Sequence, residues 1–192
     1  VVFLIETKLE KDTSAMETVR NIYGNNENDF ITAVDDKNLV MVKSLEDDEN
    51  EKDLQKIAQT LLDTLNAEAM SSVHISYGGV VNTIKDVSKS FKEAKMALEV
   101  GKIFYADKMV ISYSELGIGR LIYQLPVPLC RTFLSEVFRE GQLDEIDDET
   151  LSTINAFFDN SLNISETSRK LFVHRNTLVY RIEKLYRSPG LD

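Results

Sequence analysis

The sequence predicts an α+β domain, a sheet with antiparallel strands and covering helices, followed by a small all-α domain. Three observations lead there. Between Val1 and about Glu115, short runs rich in β-branched and aromatic residues alternate with amphipathic stretches of helical period, the pattern of layered sheet-and-helix domains. Gln124-Leu125-Pro126-Val127-Pro128 interrupts that alternation, because each proline disfavours helix at the residue before it. Beyond it every segment has helical period and none reads as strand. The expected division is 1–116 for the α+β domain, 117–145 for a helical connector and 146–192 for a helical domain.

Taken in order, Val1 to Thr7 is a strand, followed by a helix around Ser14 to Tyr23 with Asp12, Thr13 or Ser14 as N-cap and Gly24 as its stop. Phe30 to Val34 and Leu39 to Val42 pair as a hairpin across Asp35-Asp36-Lys37-Asn38, residues that suit a tight turn. Glu46 to Asp53 is an acidic run read as a solvated loop and helix start, with metal binding as the sharper alternative. Leu54, Ile57, Ala58, Leu61, Leu62 and Leu65 then form one buried helical stripe. Val73 to Val81 is a strand broken by Gly78-Gly79, and Phe91, Ala94, Leu98 and Ile103 mark a long helix with a small-residue face. Met109 to Tyr113 closes the series, giving the order β-α-β-β-α-β-α-β. Further helices are expected at Leu129 to Arg139, Asp148 to Asp159, Ser165 to Phe172 and Arg175 to Tyr186.

A chain of 192 residues, 43% of them hydrophobic, can fill two small cores. Its net charge of −10 opposes phosphate contact over the general surface, so any nucleic-acid site has to be local. The single cysteine, Cys130, excludes an internal disulfide, and its apolar neighbours make it an inert filler. No apolar run approaches the roughly 18 residues that span a bilayer, and Val1 to Ile5 lacks a basic flank, which predicts a cytoplasmic chain without membrane segments. The absence of an initiator methionine predicts a piece of a longer protein with a domain ahead of Val1.

Positive charge is gathered between Ser165 and Arg187. Arg169, Lys170, Arg175, Arg181, Lys184 and Arg187 stand against Glu166 and Glu183, a local charge of +4 in a chain of −10. Two short helices crossing at an open angle need a small residue at the crossing, an apolar plug in the turn and apolar anchors on the second helix. Ser168 supplies the first, Leu171 and Val173 the second, and Leu178, Ile182 and Leu185 the third. With that stripe buried, His174, Arg175, Asn176, Thr177 and Tyr180 are free near the start of the second helix, a recognition helix at about 175–186. Arginine bonds guanine O6 and N7 in a bidentate manner and asparagine does the same with adenine N6 and N7, so these residues suit base reading, Arg175 first. Arg181 and Lys184 lie where such a helix leaves the groove and suit phosphate contact, as do Arg169, Lys170 and the hydroxyls of Ser165 and Thr167 on the first helix.

The run from Asn163 to Leu185, and above all Leu171-Phe-Val-His-Arg-Asn-Thr-Leu178, resembles the C-terminal helix-turn-helix of the PucR and CdaR family of bacterial transcriptional regulators, which includes sugar diacid and purine catabolism regulators. Ser168 stands where that family usually has alanine, and the family usually continues with another helix. Upstream, the strand order and the segment Ser76 to Leu98 resemble the GGDEF-like domain of CdaR-type proteins. The resemblance implies a DNA-binding regulator of carbohydrate-diacid, purine or related catabolic genes, with double-stranded DNA as partner. It also implies a small-molecule effector acting through the domain ahead of Val1. A homodimer is expected because operators are commonly two-fold.

The competing reading is a nucleotide-binding or cyclase-like signalling domain without DNA binding. Cyclase chemistry needs carboxylates holding two divalent ions and a glycine-rich hairpin against the nucleotide. The hairpin here, Val34-Asp35-Asp36-Lys37-Asn38-Leu39, lacks the paired glycines and the Glu-Phe that follows them, and Glu6-Thr7-Lys8 ends the first strand without a ligating aspartate. Asp35 and Asp36 read as turn residues, Gly78-Gly79 as a bend or bulge, and His74 as a satisfied strand residue. Two histidines and one cysteine assemble no nucleophilic set. The expectation is no catalytic residue, no metal and no cofactor, with effector binding by this domain left open.

Overall fold

Five strands, β1 (Val2–Glu6), β2 (Phe30–Ala33), β3 (Asn38–Val42), β4 (His74–Tyr77) and β5 (Val110–Ser112), form one sheet in the order β2-β3-β1-β4-β5 in the computed structural model, which describes residues 1–8, 13–46, 48–69, 73–138 and 147–186. The apolar run Val2-Phe3-Leu4-Ile5 has no polar face to turn to water, so β1 takes the centre and is covered on both sides. It runs antiparallel to β3 and β4, with Phe3 opposite Met41 and Tyr77 on one face and Leu4 opposite Val40 and Ser76 on the other; β4 and β5 are parallel.

The first face, Phe3, Ile5, Met41 and Ile75 among it, packs under α1 (Thr13–Tyr23) and α2 (Glu51–Ala69), whose Ala15, Val19, Leu54, Ala58, Leu61 and Leu65 are buried as their spacing requires. The second face, with Val2, Leu4 and Val40, packs under α3 (Val87–Phe104) through Ala94 and Leu98. The order of elements is the one the periodicity predicts, with strand ends trimmed. Ile103 is the exception on α3: it is exposed, and Ala97, Val100 and Gly101 face β5 instead. A Cβ on Gly101 would stand 2.0 Å from Ile111 Cδ1, so only a helix surface of this shallowness lets α3 reach the sheet.

Gly78-Gly79 has a packing role beyond the expected bend. A Cβ on Gly78 would lie 2.1 Å from the Ser90 carbonyl oxygen, so α3 rides directly on the chain leaving β4. Side chains satisfy the backbone there: Ser90 Oγ accepts from the Val2 N–H at 3.0 Å and donates to the Gly79 carbonyl at 2.8 Å, and Ser76 Oγ donates to the Ala94 carbonyl at 2.8 Å. These bonds let buried hydroxyls sit in an apolar layer without penalty.

The β2–β3 hairpin is closed by Asp35, whose Oδ1 accepts from the backbone N–H groups of Lys37 and Asn38, each at 2.8 Å, and from Asn38 Nδ2 at 2.9 Å. These donors hold the carboxyl below its ordinary range. The acidic run behaves as a helix start: Lys52 N–H donates to Asn50 Oδ1 at 3.0 Å and Asn50 N–H to Asp53 Oδ2 at 3.1 Å, a reciprocal cap on α2. His74 is half-buried beside Glu6, Nδ1 to Oε2 3.8 Å, and burial lowers its pKa against the opposing pull of that carboxylate.

The chain divides between Gln124 and Leu125, at the proline-bearing interruption and later than the expected domain end at residue 116. The 3₁₀ turn Tyr113–Leu116 buries Leu116 against α3, and α4 (Gly119–Tyr123) follows on the same helix, so this segment is part of the first unit and not a connector. The second unit holds α5 (Val127–Val137), α6 (Asp148–Asp159), α7 (Ile164–Lys170) and α8 (Arg175–Tyr186). The expected N-cap Asp12 and the expected helix end Arg139 lie outside the described residues. Among those described, no helix is long and apolar enough to cross a membrane.

Two measurements check this account. Gly78→Ala has to push α3 off the sheet, and an overpacked site of this kind costs about 1–3 kcal/mol, read as a lower urea midpoint. Asp35 has a depressed folded pKa, so its contribution is complete above the unfolded value of about 3.9 and is lost as pH falls through the lower folded one. In urea melts taken from pH 5 downwards, Asp35→Ala is therefore expected to lose stability less steeply than the wild type.

Candidate nucleic-acid interface

The helical unit is built from caps that the sequence supplies residue by residue. Asp147 Oδ1 accepts from the Thr150 N–H at 2.7 Å and starts α6. The helix ends with Ser161 and Leu162 in left-handed conformation, φ 51° and 62°, returning N–H bonds to the carbonyls of Phe158 and Phe157. Asn163 then caps α7, its Oδ1 accepting from Ser165 and Glu166 N–H at 3.0 and 3.3 Å. At the far end of α7, Phe172 takes φ 54° while its N–H reaches the Arg169 carbonyl and that of Val173 the Ser168 carbonyl. This is the Schellman closure, in which glycine usually occupies the left-handed site. Here a phenylalanine, 97% exposed, occupies it.

His174 follows as the cap of α8: its Nδ1 accepts the Asn176 N–H at 3.3 Å and its carbonyl the Leu178 N–H at 3.1 Å. Leu178 is fully buried, as are Thr167 and nearly so Ser168 and Ala156, which lets α6, α7 and α8 approach closely. Leu171, Val173 and Ile182 are half-buried around them, in keeping with their assigned places as plugs and anchor. The side chain of Leu185, the third expected anchor, and Arg187 lie outside the described residues.

With Leu178 turned inward, Asn176, Tyr180 and Lys184 follow one another at four-residue spacing along the outer ridge of α8, all exposed, with Thr177 exposed beside them. Arg175 is exposed in the first turn, and the exposed Arg169 and Lys170 end α7. His174 is exposed as well, although its Nδ1 is committed to the cap, which leaves Nε2 as the ring donor. Ser165 is half-buried at the start of α7.

Two expected phosphate contacts are corrected by the geometry. Thr167 is fully buried, and its hydroxyl donates to the Asn163 carbonyl at 2.8 Å, so it fastens α7 to its own start and cannot reach a ligand. Arg181 turns back to α6: Nη2 pairs with Glu149, and Nη1 lies 3.5 Å from Thr153 Oγ1, which leaves the side chain 25% exposed. A three-residue step from the buried Leu178 carries residue 181 to the flank of α8 nearest α6, which spacing along α8 alone does not reveal. Lys170 also has an acidic neighbour, Asp159 at 3.2 Å, but both are well exposed and such pairs contribute little. Among the described residues no ion pair engages Arg169, Arg175 or Lys184. Nor does any group of three or more His, Cys, Asp or Glu come together to hold a metal among them.

The parts of this unit that sequence reasoning missed are the caps and the counter-charges. Asn163 carried a readable signal, a capping residue three before Glu166. Phe172 carried none, since nothing but the absence of glycine marks the turn.

Residues 150–192 match the PucR C-terminal helix-turn-helix domain and residues 1–100 the GGDEF-like domain. The chain is 27% identical over 121 residues to the purine catabolism regulatory protein of Bacillus subtilis, covering 62% of this chain and 23% of the relative. It is 26% identical over 192 residues to the DNA-binding transcriptional activator AdeR of the same organism, covering 92% and 42%. It is 25% identical over 143 residues to the carbohydrate diacid regulator of Escherichia coli, covering 73% and 37%. The chain thus spans less than half the length of these curated relatives. With a GGDEF-like domain on a central antiparallel strand and a PucR-type helix-turn-helix behind it, the chain belongs to the PucR and CdaR family of regulators.

Proposed function

We propose that this chain is the DNA-binding part of a transcriptional regulator, acting in the cytoplasm as a homodimer on double-stranded DNA. The observation that carries this is the outer ridge of α8, where Asn176, Thr177, Tyr180 and Lys184 are exposed over a buried Leu178, with Arg175 in the first turn. Arg175 and Asn176 read base edges, Thr177 and Tyr180 pack beside them, and Arg169, Lys170, Lys184 and the His174 Nε2–H hold phosphates. Ser165, at the start of α7, sits where the first helix crosses the backbone. The names of the relatives, a purine catabolism regulatory protein, a transcriptional activator and a carbohydrate diacid regulator, support control of catabolic genes as the role. A small-molecule effector would act through a domain ahead of Val1. The GGDEF-like unit is read as a non-enzymatic scaffold, because the Asp35 carboxylate that a cyclase-like site would need is consumed by its own turn.

A duplex selected from a random-sequence pool by binding to this chain provides the test. Arg175→Ala and Asn176→Ala are each expected to weaken that duplex by about 1–3 kcal/mol and to relax preference at one position. Lys184→Ala is expected to weaken all sequences alike and to reduce the slope of log affinity against log salt by about one. Unchanged affinity in the Arg175→Ala, Asn176→Ala double variant, or an affinity indifferent to salt, would contradict the assignment.

A further inference from the structure

The turn between α7 and α8 carries a residue that neither its backbone nor its surroundings favour. Phe172 takes φ 54°, a left-handed conformation in which a Cβ crowds the following carbonyl and which glycine adopts freely. Its side chain is 97% exposed, so no packing within the helical unit offsets that crowding, and the ring adds apolar surface in water. Among the described residues no second ring and no cation stacks on it. Strained residues of this kind gather where a ligand is held.

The neighbours of Phe172 indicate which ligand. It stands three positions after Arg169 and three before Arg175, and its N–H bonds the Arg169 carbonyl. Both arginines are exposed, and among the described residues no ion pair engages either. We propose, resting on the DNA-binding reading above, that Phe172 is a specificity residue whose ring packs on the C5-methyl group of a thymine in the major groove. A recognition helix enters the groove by its N-terminal residues, which brings the turn ahead of α8 to the rim of the groove. Phosphates offer nothing to an uncharged ring, whereas the thymine methyl is an apolar group displayed in the major groove, and phenylalanine is among the residues that contact it. Three residues of chain span at most about 10 Å, and base pairs stack about 3.4 Å apart. With allowance for side-chain reach, the thymine lies within about four base pairs of the base that Arg175 reads.

The test uses the whole chain and the selected duplex, with uracil replacing each thymine in turn so that only the methyl group is lost. The wild type is expected to bind about fourfold more weakly, as burial of one methyl group implies, at a thymine within about four base pairs of the position whose preference Arg175→Ala relaxes. Phe172→Gly is expected to bind the unmodified duplex roughly tenfold more weakly and to lose nothing further on that uracil substitution. Its slope of log affinity against log salt is expected to stay that of the wild type, because a ring displaces no counterion. The same variant is expected to slow hydrogen exchange of the α7 and α8 amides several-fold, since glycine takes the left-handed turn without crowding. A residue present only for stability would move affinity and exchange protection together, whereas here they part. Native affinity in Phe172→Gly, a wild type indifferent to every uracil, or an equal uracil effect in both proteins would overturn the proposal. If Phe172→Gly keeps full affinity while the Arg175→Ala, Asn176→Ala double variant loses it, the ring is not at the interface and the DNA-binding reading stands. If that double variant also binds undiminished, the DNA-binding reading falls with the proposal.

Discussion

Two short helices can hold out a reading surface only while their remaining residues are anchored, and here the anchor is the burial of Leu178 on α8 between small residues of α6 and α7. Thr167 and Ser168 on α7 and Ala156 and Thr153 on α6 are all buried beside it, and none has a side chain larger than threonine. A larger group at these positions would push the helices apart and rotate the ridge of Asn176, Tyr180 and Lys184. The polar members of this small core satisfy themselves locally, Thr153 to the Glu149 carbonyl and Thr167 to that of Asn163, so hydroxyls can sit where alanine would otherwise be expected. The Arg181–Glu149 pair then fastens the flank of α8 to α6. A cation that looks like a phosphate ligand in sequence thus serves to orient its neighbours.

The first unit solves a comparable problem of close approach. Its central strand is covered on both faces, and α3 reaches the second face because Gly78 and Gly101 give way to it while Ser76 and Ser90 tie the backbone down. The hairpin in the same unit is self-contained, each oxygen of Asp35 accepting from Asn38. A carboxylate already holding its own turn has few lone pairs left for a cation.

Much of this could be read from the sequence because periodicity responds to burial. The stripe on α2, the apolar centre of β1 and the spacing of Leu178 and Ile182 each reflect a face packed against another element. Local chemistry was legible at Asp35 and Asn163, where a short polar side chain serves the neighbouring backbone. What escaped was long-range or non-local. Ile103 is exposed because the approach of α3 to β5 is set by Gly101 and Ile111, ten residues apart in sequence and in van der Waals contact in space. Thr167 is buried by a helix that its own sequence neighbourhood does not contain, and Arg181 is engaged by an acid 32 positions earlier. The left-handed Phe172, almost fully exposed, is held against its own propensity by the two backbone hydrogen bonds that close α7.

The central claim is that the exposed ridge of α8, with the cations at the end of α7, is the surface that meets DNA. Backbone amide shifts of the isotopically labelled chain, followed by NMR while a selected duplex is added, test it most directly. The account predicts that the largest changes fall between His174 and Lys184 and at Arg169 and Lys170, with the hairpin at Asp35 to Asn38 unmoved. Changes centred on the hairpin or elsewhere in the sheet unit, with α8 silent, would contradict it.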